Sequence, residues 1–209
     1  MTLIKDCILK GITTKTPIWL MRQAGRYLPE FRKVRKKNPN FINLCLNKKL
    51  SSLITLQPLK RFNFDAAIIF SDILMVPYGL NQTVNFKKNF GPKLESLNLD
   101  SIKHLDDKQF KKKLAPIYQS IKQVKKNSLI KNKKDLIGFV GAPWTLLVYM
   151  LNKSSPKKKI NKNLFNDKAY IDKILTILNR YLKLHIREQV RSGATIIQIF
   201  DSWSGLVEK

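Results

Sequence analysis

Histidine, acid, glycine and cysteine are all scarce in this chain. Its 209 residues include 2 His, 8 Gly and 2 Cys, and 14 acidic residues face 40 basic ones. His104 stands in a polar stretch and His185 inside a lysine-flanked helical pattern. Neither has a carboxylate or nucleophile at motif spacing, so both read as structural. Cys7 and Cys45 lie far apart with no His or further Cys placed to complete a metal site, which suggests a reducing compartment. The glycines form no phosphate-binding turn: Gly25 stands alone behind the first apolar run and no P-loop occurs, which argues against a dinucleotide- or nucleotide-binding sheet. Long apolar runs are missing too. The longest uncharged apolar stretch, Leu136 to Asn152, is interrupted by Gly and Pro, and no apolar segment follows the basic residues of the N-terminus. The chain reads as soluble and cytoplasmic, without a membrane span or signal peptide.

What is abundant is positive charge, with a formal net value of +26. The lysines are scattered, thickening at Lys111 to Lys113, Lys125 to Lys134 and Lys153 to Lys162, and no aromatic residues interleave with them to stack bases. This reads as a solvated lysine-rich surface, with nucleic-acid binding as the runner-up class. Arginine behaves differently. Of only eight arginines, Arg22 and Arg26 share one five-residue window directly behind the apolar run Ile18 to Met21. A guanidinium offers a planar fork that matches carboxylate or phosphate, so the pair reads as an anion clamp, against the plainer reading of two surface arginines on a helical turn.

Four apolar runs alternate with helical patterns: Ile18 to Met21, Ala66 to Phe70, Leu136 to Val140 and Thr195 to Phe200. Helices are expected around Pro29 to Arg35, over Lys48 to Lys60, from Pro116, from Pro143 to about Leu151, and over Asn166 to Arg191, which Gly193 closes. An irregular segment is expected from Pro77 to about Asp107, with Thr83 to Phe86 as a minor hairpin strand. This syntax is α/β, with parallel strands buried on both faces. A (β/α)8 barrel fits better than a doubly wound sheet. In a barrel the chemistry lies behind the C-terminal ends of the strands, and there stand Arg22 and Arg26, Asp72, the Gly141-Ala142-Pro143-Trp144 turn and Ser202. Asp72 taken alone reads more readily as a helix cap.

The segments Trp19-Leu20-Met21-Arg22-Gln23-Ala24-Gly25-Arg26-Tyr27-Leu28-Pro29-Glu30, Phe70-Ser71-Asp72-Ile73-Leu74, Gly138-Phe139-Val140-Gly141-Ala142-Pro143-Trp144-Thr145-Leu146 and Gln198-Ile199-Phe200-Asp201-Ser202-Trp203 together resemble the uroporphyrinogen decarboxylase family, in family order. The resemblance implies a TIM barrel of which about the first half lies in this chain, read as a single domain over residues 1 to 209. It implies decarboxylation of the four acetate side chains of uroporphyrinogen III to methyl groups, giving coproporphyrinogen III. It assigns catalysis to Asp72, carboxylate pairing to Arg22 and Arg26, a shared binding loop to Gln23, Ala24 and Gly25, and hydroxyl contacts to Tyr149 and Ser202. Phe139 and Phe200 would flank the macrocycle. No metal or organic cofactor is implied, and the partners are the small-molecule substrate and a second copy in a homodimer, not nucleic acid or membrane. A corrinoid-type methyltransferase of the same superfamily is the alternative enzyme. Because the chain stops after the fourth run, where a full barrel needs about 250 residues, an N-terminal fragment, a truncated reading frame and one half of a split enzyme all remain open. The isolated chain is expected to be inactive or weakly active.

Overall fold

The computed structural model describes residues 2–11, 14–87, 90–156 and 162–206. In chain order these form α1 (Leu3–Lys10), α2 (Pro29–Lys37), α3 (Phe41–Cys45), α4 (Lys48–Arg61), β1 (Ala66–Ile68), α5 (Met75–Gly79), β2 (Val84–Lys87), β3 (Gly91–Leu94), α6 (Leu99–Lys103), α7 (Asp107–Lys126), β4 (Asp135–Gly141), α8 (Pro143–Asn152), α9 (Lys168–Arg191) and β5 (Ile196–Phe200). β1, β4 and β5 form one sheet in that order. β1 and β4 are parallel, with Ala66, Ala67 and Ile68 opposite Asp135, Leu136 and Ile137. The Thr195 N–H donates to the Leu136 carbonyl and the Ala142 N–H to the Phe200 carbonyl, both at 2.8 Å, so β5 advances in the same direction as β4. Parallel strands joined through helices are the α/β arrangement that the sequence predicts.

The chain divides into two compact units. The first comprises Met1–Ser71, Ala115–Phe139 and Arg187–Gln198. Its core gathers Leu28, Phe31, Leu44 and Ile54, with Ala24, Val34, Leu50 and Phe70 packed against them. Pro29 opens α2, where its missing N–H costs nothing, and the Asn47 side chain caps α4 by accepting the Lys49 and Leu50 N–H groups at 3.1 Å each. The fully buried Asp135 accepts from Thr2 Oγ1 at 2.5 Å, Lys5 N–H at 3.0 Å and Thr195 Oγ1 at 2.8 Å. It therefore caps α1 from a strand far along the chain.

The second unit comprises Asp72–Leu114, Val140–Ile186 and Ile199–Lys209. The hairpin β2–β3 belongs to it, with Val84 opposite Leu94. Phe110 lies 4.7 Å from the Tyr181 ring, and a Cβ at Gly79 would come within 2.5 Å of Phe110, so this helix approach requires glycine. The Tyr181 hydroxyl donates to the Leu105 carbonyl at 2.6 Å. His185 is buried beside Phe110.

Several expectations are corrected. The run Ile18 to Met21 forms no strand among the described residues. The Asp65 N–H reaches the Ile18 carbonyl at 2.8 Å, but the Ile18 N–H donates to the Asp65 carboxylate at 2.8 Å and the Leu20 N–H to the Gln23 side-chain oxygen at 3.0 Å, so no continuous ladder forms. α7 starts nine residues before Pro116, at Asp107. A reciprocal cap starts it: the Gln109 N–H donates to Asp106 Oδ1 at 2.6 Å and the Asp106 N–H to Gln109 Oε1 at 3.1 Å. Pro116 falls inside the helix. The stretch expected to be irregular holds the end of α5 and all of α6, and the strand expected at Thr83 to Phe86 corresponds to β2, one residue later and paired with β3. β5 is not buried on both faces: Ile199 is 54% exposed, because β5 is the outer strand of the described sheet. Of the lysine-rich stretch Lys153 to Lys162, residues 157–161 lie outside the described residues.

Candidate active site

The predicted residues fall into two sets, one in each unit. In the first unit, Arg22, Gln23, Ala24, Gly25 and Arg26 occupy one loop between the Ile18 segment and α2. The loop is organised from inside by Gln23, which is only 1% exposed. Its oxygen accepts the Leu20 N–H and its amide nitrogen donates to the Ala66 carbonyl at 3.1 Å, fastening the loop to the first residue of β1. The Tyr27 hydroxyl donates to the Gln23 carbonyl, and the Leu28 N–H to the Gly25 carbonyl at 3.0 Å. Burial, then the nearby Glu30 carboxylate, raises the Tyr27 phenol above its ordinary range, so it stays protonated as a donor.

Asp65 holds the segment entering this loop. It accepts from Lys15 Nζ at 3.0 Å as well as from the Ile18 N–H. Burial pushes the Asp65 carboxyl up, but the Ile18 bond and Lys15 together outweigh it and hold the group below the usual range. Downstream, Arg61 makes a bidentate contact to Glu30 at 2.7 and 3.0 Å, and the Arg32 guanidinium donates to the Arg26 carbonyl at 2.7 Å. Arg22 and Arg26 are both exposed, and neither side chain has an ion-pair partner among the described residues. The loop thus turns its amide inward and its two guanidinium groups outward.

Phe139 also belongs to the first unit, half-buried on β4. Its N–H donates to Gln189 Oε1 and its carbonyl accepts from Gln189 Nε2, each at 3.0 Å, so the side-chain amide of α9 holds the strand backbone at this residue. Gln189 is 1% exposed and was not signalled by any sequence motif.

The second unit holds Asp72, Tyr149, Phe200 and Ser202. Asp72 Oδ1 accepts the Leu74 N–H at 2.9 Å and its carbonyl accepts the Met75 N–H at 3.2 Å, an Asx turn just ahead of α5; the helix cap that the sequence also allowed is not formed, since Leu74 stands at the N-cap of α5 without a side-chain cap bond. Tyr149, half-buried on α8, faces Trp203 with ring centroids 6.3 Å apart at 66°. Ser202 is exposed in the turn behind β5. Around it, the buried Thr145 hydroxyl donates to Asp201 Oδ1 at 2.7 Å and accepts the Trp203 N–H at 3.0 Å, while Trp144 Nε1 donates to the Trp203 carbonyl at 3.1 Å. The structure therefore places Tyr149 and Ser202 on elements that touch through Trp203. Among the described residues no group of three His, Cys, Asp or Glu side chains is placed to hold a metal.

Comparison with known proteins supplies the family. A uroporphyrinogen decarboxylase from Campylobacter jejuni is 42% identical over 207 residues, 97% of this chain and 60% of that protein. One from Rickettsia bellii is 43% identical over 210 residues, 99% of this chain and 61% of the relative. The chain thus spans about 60% of the length of the curated relatives it matches. A methyltransferase from Methanosarcina mazei superposes with a TM-score of 0.72 at 13% identity, over 96% of this chain and 59% of that one, which shows a shared fold. The parallel α/β arrangement is that of a partial (β/α)8 barrel. The family model for uroporphyrinogen decarboxylase matches residues 4–209, and the chain belongs to the uroporphyrinogen decarboxylase family.

Proposed function

We propose that this chain carries the substrate-binding arginine loop and the catalytic carboxylate of a uroporphyrinogen III decarboxylase, a carboxy-lyase of porphyrin biosynthesis. The observation that carries the reading is the outward-facing pair Arg22 and Arg26 on a loop whose Gln23 is fully engaged inside. The substrate is rich in carboxylates, and each desolvated charge-assisted pair contributes about 1.5–3 kcal/mol.

The chemistry needs an electron sink. Protonation of the pyrrole at the ring carbon beside the acetate-bearing one gives a cation. The bond between the acetate methylene and its carboxylate then breaks, carbon dioxide leaves, and the electron pair flows into the ring; a second proton at the methylene forms the methyl group, and loss of the first proton from the ring carbon restores the aromatic pyrrole. A carboxylate against the pyrrole N–H groups gains Coulomb energy as the cation forms, which is the differential stabilisation that catalysis requires. Asp72 has this role in the proposal. The substrate supplies its own sink, so no cofactor enters the steps. Tyr149 and Ser202 give hydroxyls to acetate or propionate oxygens, Ala24 and Gly25 let the loop backbone approach, and Phe139 and Phe200 flank the macrocycle. A homodimer and a cytoplasmic setting belong to the same reading. No helix among the described residues is long and apolar enough to cross a membrane.

The test is carbon dioxide release from uroporphyrinogen III, measured on this chain and on the chain extended to the length of its relatives, with Asp72→Asn beside each. Asparagine keeps an oxygen for the Leu74 N–H, so the fold persists while turnover falls by at least about 100-fold. Turnover unchanged by Asp72→Asn removes Asp72 from catalysis. A requirement for a corrinoid or thiol substrate would favour the methyltransferase reading instead.

A further inference from the structure

We propose that Thr145 is a positioning residue for substrate binding, acting by fixing the Asp201-Ser202-Trp203 turn and with it the Ser202 hydroxyl. This rests on the reading above that Ser202 contacts a carboxylate arm of the tetrapyrrole.

Ser202 makes no side-chain hydrogen bond of its own among the described residues and is exposed, so what places it is the backbone on either side. Both neighbours are held by one atom. Thr145 Oγ1 donates to Asp201 Oδ1 at 2.7 Å and accepts the Trp203 N–H at 3.0 Å. A hydroxyl has one proton to give and lone pairs to receive, so the two bonds are compatible and together use it as a two-ended clamp. Thr145 is 0% exposed in the first turn of α8, so the clamp stands on a rigid element and is shielded from competing water. Trp144, its neighbour on α8, adds a third bond by donating from Nε1 to the Trp203 carbonyl at 3.1 Å.

The same turn carries Trp203, against which the Tyr149 ring rests. One side chain therefore sets the turn bearing one proposed substrate hydroxyl and, through Trp203, supports the helix face bearing the other. Without the clamp the Asp201 side chain and the Trp203 N–H lose their common anchor, and the binding geometry is then assembled at an entropic cost each time the ligand arrives.

The experiment uses uroporphyrin III, the oxidised and unreactive form of the macrocycle, as the probe. Its fluorescence is titrated with the 209-residue chain and with Thr145→Val, which keeps the shape and removes both bonds, Thr145→Ser, which keeps both bonds, and Asp201→Ala, which removes one bond from the exposed side. Hydrogen exchange at the Trp203 amide is followed in parallel. Thr145→Val should weaken binding about tenfold and speed exchange at Trp203, while the Leu147 and Val148 amides of α8 keep their protection. Thr145→Ser should restore both readouts, and Asp201→Ala should move both in the same direction by about threefold, which keeps the test sharp if Thr145→Val does not fold. Binding by Thr145→Val or Asp201→Ala equal to that of the unchanged chain, with the Trp203 amide still protected, overturns the positioning role and leaves the decarboxylase reading standing. No binding by the unchanged chain overturns that reading and the positioning role with it.

Discussion

The side-chain amide of Gln23 donates to the main-chain carbonyl of Ala66 at 3.1 Å while its oxygen receives the Leu20 N–H at 3.0 Å, so a side chain bridges two backbone segments much as a strand would. Gln23→Leu orphans a buried carbonyl and an N–H, each worth about 1–3 kcal/mol, and should lower unfolding stability by about 2–4 kcal/mol in urea titrations. Gln23→Glu keeps the acceptor but sets a carboxylate against a carbonyl, and should be destabilising as well. If Gln23→Leu unfolds at the same urea concentration as the unchanged chain, the bridge contributes nothing.

Asp135 and Arg61 offer a contrast between a buried and an exposed polar contact. Asp135→Ala removes from a fully buried position the acceptor of three donors, including the Lys5 N–H at the start of α1, and should cost about 2–4 kcal/mol. Arg61→Ala removes a bidentate pair on the surface, and should leave the denaturation midpoint nearly unchanged. Equal losses from the two in parallel denaturant titrations would contradict this account.

His185 makes stability depend on pH. Burial lowers its imidazole from 6.5 to about 3. Above pH 6.5 it is neutral in both folded and unfolded chains. Below that value the unfolded chain takes up a proton that the folded chain refuses until about 3, so stability falls as the pH drops through this window. The limiting slope is about 1.4 kcal/mol per pH unit. The stability difference between the unchanged chain and His185→Phe should therefore shift against the unchanged chain between pH 7 and 5. A difference that is constant over this range rules out the buried neutral imidazole as its source.

Gly138 sits where a methyl group would run into the Gln189 side-chain oxygen and come within 3.0 Å of Ile197 Cδ1. Gln189 cannot yield without releasing both of its bonds to the Phe139 backbone. Gly138→Ala should cost about 1–3 kcal/mol of overpacking and speed hydrogen exchange at the Phe139 amide. Gly205, with open space around its Cβ position, is the neutral control.

Much of the architecture was written in local pattern. The apolar runs at Ala66 to Phe70, Leu136 to Val140 and Thr195 to Phe200 became β1, β4 and β5, and Pro29 and Pro143 each opened a helix, because strand burial and first-turn proline act over a few residues. Pro116 misled for a related reason: a stronger start signal, the reciprocal Asp106–Gln109 cap, lies upstream, and a helix already under way tolerates an interior proline. The exposed arginines were legible as well, since a guanidinium pair in a lysine-rich chain is a local compositional signal.

The sequence by itself determined the α/β class, the family and the loop that bears Arg22 and Arg26, because these depend on periodicity and on contiguous motifs. Only the tertiary structure decided that Ile18 to Met21 is held by the side chains of Asp65 and Gln23 rather than by a ladder, that Asp135 caps a helix more than a hundred residues away, and that Thr145 grips the turn around Ser202. The Asp135 and Thr145 contacts join residues distant in the chain through one buried polar side chain each. A lone Thr, Gln or Asp has no sequence pattern of its own, and its role is set by which unpaired donor or acceptor the fold brings within about 3 Å of it.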